Sequence, residues 1–214
     1  MSSISSIITA LAHGLSKSFS LAGIQALIMH YGYIAIFGLM SLEAASLPIP
    51  SEIVLPAVGY FAAQGLLNVV LAFFVALAAG IIGITVDYAI AYYIGKDVVY
   101  KHAGRFHIKK DTLDAFDSWF QKNGAFAVFS LRLVPVLRGL ISLPAGFARM
   151  PLKTFYLYSI LGMVVWNVLL MAFGYYALGA SNTTMIVVLL SVLGIIMYLI
   201  YYMIMRAVKK THTV

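Results

Sequence analysis

The chain contains no cysteine, which excludes disulfides, thiolate metal sites and cysteine nucleophiles. Charge is scarce as well, at 10% of the residues. There is no GxSG serine, no HExxH helix and no lipid-phosphatase pattern of arginine and histidine. The five histidines avoid the two proline-broken stretches described below. These absences argue against an intramembrane enzyme, and neither a metal nor another cofactor is expected. Prolines number only six, all in or beside those two stretches.

What is present is apolar. Hydrophobic residues make up 63% and mean hydropathy is +0.98, against about 45–50% apolar in an average soluble domain. The expected fold class is an all-α integral membrane protein, one membrane domain over 1–214. The net charge of +7 fits basic cytoplasmic loops facing anionic lipid, not nucleic acid.

The stretch Glu43 to Gly59, EAASLPIPSEIVLPAVG, breaks an apolar run with two acids and three prolines. Its surroundings, 31–66, are too long for one span and too short for two, since a span needs about 20 residues. A re-entrant hairpin broken at Pro48 and Pro50 fits the length. Irregular backbone at that depth must line protein or a wet cavity, and acids there mark function.

A short interfacial helix is expected over 21–30, held by Ile24, Leu27 and Ile28. A span follows over 68–95, with small residues and Asp87 four apart on one face. Segment 96–122 carries six Lys/Arg and four Asp and reads as a cytoplasmic loop. Its amphipathic helix should run from an Asp111 cap to Lys122, with Gly124 just past the end. His102 and His107 read as headgroup-facing. Segment 123–150 holds Arg132, Pro135, Arg138 and Pro144, and spans are expected over 154–178 and, C-terminally, over 184–206.

If 123–150 also re-enters, eleven of the fourteen basic residues share one side. The positive-inside rule favours that arrangement, with the C-terminus and the 96–122 loop cytoplasmic and the N-terminus outside. The hairpins also resemble each other. YGYIAIFGLMSLE aligns with NGAFAVFSLRL, IVLPAVGYFA with LISLPAGFAR, and VDYAIAYYIG with VWNVLLMAFG, setting Trp166–Asn167 opposite Asp87. Each unit, hairpin plus span, crosses an odd number of times, so the second copy is expected upside down. Inverted repeats with broken helices are a transporter architecture, with the breaks pointing to the binding site.

One hairpin supplies Glu43 and Glu52, the other Arg132 and Arg138. Each unpaired charge at the centre of a span costs roughly 2.5–3.5 kcal/mol, so the four should pair or share a hydrated cavity. A purely structural ion-pair cluster is one reading. In the functional reading, Arg132 and Arg138 flank Pro135 and clamp a phosphate through planar guanidinium forks. Glu43, Glu52 and Asp87 then titrate and couple release to protons. Pro48, Pro50, Pro135, Trp166 and Asn167 support the site.

At EAASLPIPSE and FSLRLVPVLRGLISLPAG the sequence resembles the DedA family, also called the SNARE-associated or VTT-domain family. The resemblance covers roughly Leu21 to Leu178. It includes the D-Y-x(4)-Y-x-G-K run at Asp87, Tyr88, Tyr93, Gly95 and Lys96, the R-x(2)-P-x(2)-R run, and Trp166-Asn167. It implies two opposed re-entrant hairpins and lipid movement between leaflets, with bacterial members implicated in returning undecaprenyl phosphate to the cytoplasmic leaflet using the proton motive force. The family's essential acids correspond to Glu43 and Glu52, and its essential arginines to Arg132 and Arg138. Some members carry an Asp at the second acid, at a longer spacing.

The leading expectation is a cell-membrane translocase for a lipid-linked phosphate, a polyprenyl phosphate first of all, coupled to protons. A phospholipid scramblase or flippase and a proton-coupled carrier of a small soluble ion are the alternatives. A plain adaptor would not need charges at the midplane.

Overall fold

The computed structural model describes residues 21–47, 49–103, 110–135 and 137–179, with positions 188, 191, 194 and 195. All regular structure among them is helical. Pro48, residues 1–20, His107, and most of the span expected over 184–206 lie outside them.

The helices α1 (Leu21–Tyr31) and α2 (Tyr33–Ala44) meet at Gly32, whose φ of 54° suits glycine. Ile24 and Ile28 of α1 are buried in the protein core. Next, α2 stops because Leu47 and Ile49 each precede a proline, which disfavours helical backbone. The chain resumes as α3 (Ser51–Ala63) directly after Pro50. At 12 and 13 residues, neither arm reaches the about 20 needed to cross.

A Schellman motif ends α3. Gly65, at φ 75°, donates to the Ala62 carbonyl and Leu66 to that of Phe61, both at 3.0 Å. Asn68 then caps α4 (Val69–Ala103), its Oδ1 accepting from the Leu71 N–H at 3.0 Å.

Two boundaries differ from expectation. Helix α4 does not stop at Gly95 but runs on to Ala103; one interior glycine costs only about 1 kcal/mol. Helix α5 (Lys110–Leu131) passes straight through Gly124, so the expected segments 96–122 and 123–150 share one helix. Gly124 packs beside the Phe120 ring instead of taking a left-handed cap.

Pro135 lies in the break after α5, followed by the single turn α6 (Leu137–Leu140) and by α7 (Ser142–Phe147). A second Schellman motif ends α7, with Arg149 at φ 50° in the left-handed position. Its N–H reaches the Gly146 carbonyl, and that of Met150 reaches Ala145, both at 3.0 Å. After Pro151 comes α8 (Leu152–Ala172), which loosens into a π-helical stretch over Phe173–Gly179.

Val69–Ile94 and Leu152–Ala177 are long and apolar enough to cross a membrane. They run antiparallel. The start of α4 at Val69 shares a cleft with Tyr175 and Tyr176, and its Tyr92 and Tyr93 share another with Leu152. Phe74, Ile82, Val86 and Ile90 of α4 are exposed, as lipid-facing side chains are.

Packing follows a reciprocal pattern: α2 lies on α4 and α5 on α8, while α3 crosses to α8 and its π stretch, and α7 crosses to α4. Glycines sit at these crossings because backbones touch there. A Cβ on Gly59 would fall 2.1 Å from the Met171 oxygen and 2.8 Å from the Tyr175 nitrogen. On Gly146 it would fall 2.6 Å from the Tyr88 oxygen and 3.1 Å from the Tyr92 nitrogen. Gly83 likewise faces the Ser41 oxygen and Ala44, as Gly162 faces the Phe129 oxygen and Arg132.

Candidate functional site

The prolines that stop α2 and α5 bring their ends together. Glu43 lies in the last turn of α2, and Arg138 on α6. Arg138 donates from Nε to Glu43 Oε1 at 2.9 Å and from Nη2 to Oε2 at 2.7 Å, a two-pronged pair of the strong kind. Both residues are buried. The Arg138 guanidinium also lies 5.2 Å from the Trp166 ring centre, within cation–π range.

Arg132, in the turn after α5, has neutral partners. Its Nη1 donates to the Arg138 carbonyl at 2.9 Å and its Nη2 to Ser142 Oγ at 2.7 Å. Arg132 therefore props the backbone that presents Arg138. Among the described residues, Arg132 Nε, Arg138 Nη1 and Trp166 Nε1 have no hydrogen-bond partner.

Two hollows meet at the ion pair. The inner one, bounded by Met40, Gly80, Arg132 and Asn167 as well as the pair, has room for about one water. The outer is a cleft of about 480 Å³ lined by Ser46, Pro50, Glu52 and Pro135 along with Glu43 and Arg138. That is within the ~300–1,000 Å³ of small-molecule sites. The Glu43–Arg138 pair borders both hollows and stands between them. Glu52 is exposed in the first turn of α3, at the cleft and outside the ion pair.

Asp87, buried on α4, meets the hydroxyl of Ser46. The same hydroxyl lies 3.1 Å from the Gly139 carbonyl. Thus Ser46, in the turn after α2, joins α4 and α6 at one oxygen. A hydroxyl carries one proton, so both contacts are hydrogen bonds only when the Asp87 carboxyl supplies a second.

The structure thus gathers Glu43, Arg132, Arg138, Trp166 and Asn167 in one buried cluster, with Asp87 linked to it through Ser46. Sequence reasoning missed Ser46, Ser142 and the Gly139 carbonyl. The two serines had a signal, as hydroxyls inside proline-broken segments. Among the described residues, no three His, Asp or Glu lie close enough to hold a metal ion.

The VTT domain matches residues 49–176, more than half of the chain. This chain belongs to the VTT-domain, or DedA, family of membrane proteins. Among DedA-family relatives, undecaprenyl phosphate transporter A of Staphylococcus aureus is 37% identical over 144 residues, 65% of this chain and 71% of that protein. The Bacillus subtilis protein of the same name is 40% identical over 130 residues, 59% of this chain and 64% of its own length. Protein DedA of Escherichia coli is 26% identical over 110 residues, about half of each chain. No solved structure matches.

Proposed function

We propose that this DedA-family protein moves a lipid-linked phosphate, foremost a polyprenyl phosphate such as undecaprenyl phosphate, between leaflets of the cell membrane. It acts as a proton-coupled translocase and not as an enzyme. The observation that carries the reading is the buried Glu43–Arg138 fork at the wall between cleft and inner cavity. A buried ion pair is a poor device for stability alone, since apolar side chains of similar volume often do as well or better. It is a good device for exchange, because a phosphate offers the guanidinium the same paired oxygens as a carboxylate.

In this reading the headgroup enters the cleft past Glu52 and displaces Glu43 from Arg138. A proton taken up by Glu43 removes its competing charge. Asp87 adds a second proton-responsive contact, because its protonation makes the Ser46–Gly139 bridge between the hairpins. The isoprenoid tail stays in lipid beside the cleft, and the unpaired Arg132 Nε and Arg138 Nη1 offer further donors to the phosphate.

The alternating movement comes from an inverted repeat of a re-entrant hairpin plus a span. Its supports are the antiparallel α4 and α8, arms too short to cross, and matched glycine crossings. The additional C-terminal span, the cytoplasmic basic loop and the cytoplasmic C-terminus belong to the same proposal.

The test is uptake of undecaprenyl phosphate in proteoliposomes under an imposed proton gradient, beside phosphatidylethanolamine. We expect transport of the polyprenyl phosphate, with at least about a tenfold loss in Arg138→Lys, which keeps the charge but loses the fork. Equal transport of phosphatidylethanolamine, or an unaffected Arg138→Lys, overturns the reading.

A further inference from the structure

The two spans carry two side clefts, one at each end, and seven lining residues of one correspond to seven of the other. One cleft is lined by Thr85, Tyr88, Ala89, Tyr92 and Tyr93 of α4, with Leu152 and Tyr156 of α8. The other is lined by Val168, Met171, Ala172, Tyr175 and Tyr176, with Val69 and Phe73. Each of these residues of the second set lies 83 positions from one of the first, a register one helical turn away from the 79 that separates Gly83 from Gly162 and aligns VDYAIAYYIG with VWNVLLMAFG. Against that background, the differences are informative.

The cleft at Val69 is apolar, with tyrosines at one side. At the other, Thr85 replaces Val168, Tyr88 replaces Met171, and Tyr156 replaces Phe73. Thr85 and Tyr156 share a hydrogen bond of 2.8 Å, and the Tyr88 hydroxyl donates to the Met150 carbonyl at 2.6 Å. Polar walls of this kind hold a shape around a polar occupant.

The helix junctions differ in the same sense. At the apolar cleft the Schellman turn uses Gly65, and Asn68 caps the following helix. At the polar cleft the same left-handed position holds Arg149, and α8 begins at Pro151 without a side-chain cap. A left-handed backbone is easy for glycine and strained for any residue with a Cβ. Strain of this kind points to function.

The Arg149 guanidinium lies in the cleft, 5.3 Å from the Tyr92 ring centre, and makes no ion pair among the described residues. The cleft measures about 500 Å³. Its outer edge is apolar, with Tyr93 85% and Leu152 52% exposed. A cation on a polar floor with an apolar lip fits a lipid headgroup with its tail outside.

We propose that the Arg149 cleft between α4 and the start of α8 binds the phosphate headgroup of a membrane lipid, at a site separate from the Glu43–Arg138 centre. The phosphate oxygens take hydrogen bonds from the Arg149 guanidinium, with the free N–H groups of the uncapped first turn of α8 facing the same charge. The acyl or prenyl chain lies along Tyr93 and Leu152. The assignment does not require that the lipid held there is the one transported.

Arg149→Gly is the informative variant, because glycine suits the left-handed turn and leaves the fold intact or steadier. The full-length protein in zwitterionic detergent is titrated with undecaprenyl phosphate, and bound lipid is counted by native mass spectrometry. Phosphatidylcholine and inorganic phosphate serve as separate arms. We expect Arg149→Gly to weaken undecaprenyl phosphate binding about tenfold, the scale of one charge-assisted hydrogen bond, with its lipid-free Tm unchanged or raised. Arg149→Lys should restore part of the binding. Binding by Arg149→Gly equal to the parent's overturns the site. Displacement of the lipid by equimolar inorganic phosphate overturns the lipid assignment in favour of a soluble anion. Failure of the central translocation reading would appear instead in Arg138→Lys, leaving the Arg149 result standing.

Discussion

Removing only one member of the Glu43–Arg138 pair leaves the other charge buried and alone. The expected cost is about 3–5 kcal/mol, so Glu43→Leu should lower Tm by several degrees. Glu43→Leu combined with Arg138→Met removes both charges and should recover most of that loss, while transport stays abolished. Thermal unfolding and proteoliposome uptake on the parent, the single and the double variant separate the two roles. A double variant as unstable as the single, with transport retained, would show the pair to be a structural pin. Arg132 acts differently, through the Arg138 carbonyl and Ser142. Its cation–π neighbour is Phe155, at 5.9 Å.

Among the elements, the crossings of the short arms over the spans set the geometry of the centre. Gly59 of α3 sits against the backbone of α8 and its π stretch, and no side chain there can give way. Gly59→Ala puts a methyl 2.1 Å from the Met171 oxygen, so α3 must shift. Overpacking of this kind costs about 1–3 kcal/mol. We expect a lowered Tm by circular dichroism and reduced transport, although Gly59 touches no charged group. Gly38, with nothing near its missing Cβ, is the control, and Gly38→Ala should be neutral or slightly stabilising in the middle of α2. Equal effects at the two positions would contradict the packing account.

For the whole molecule, the antiparallel spans put the two helix junctions at opposite ends. Leu66, 61% exposed, lies at the junction before α4, and Leu152, 52% exposed, at the start of α8. The lack of native cysteine makes single-site labelling clean. Leu66→Cys and Leu152→Cys should react with an impermeant maleimide from opposite faces of the membrane, Leu152→Cys from the cytoplasmic face. Reaction of both from one side would refute the arrangement. The same opposition puts the apolar cleft at one end of the spans and the Arg149 cleft at the other.

Much of this was legible in the sequence, for identifiable reasons. Apolar composition requires a membrane, because so few charges cannot cover a soluble surface. The prolines at 48, 50 and 135 require breaks, since each removes a donor and restricts the residue before it. The four hairpin charges could be named because charge is rare in such a chain. Which charge meets which was decided only by tertiary structure. Pairing Glu43 with Arg138, while Glu52 stays at the cleft and Arg132 turns to neutral partners, depends on how α2 and α6 end against each other, over a separation of 95 residues. The same holds for Ser46, an ordinary turn serine until folding places it between Asp87 and Gly139. Helix continuity through Gly95 and Gly124 was also a matter of context, because a glycine ends a helix only where the backbone turns left-handed. Arg149 makes the converse point: the chain is written with a side chain where its own other half has Gly65, and only the folded cleft shows what that side chain faces.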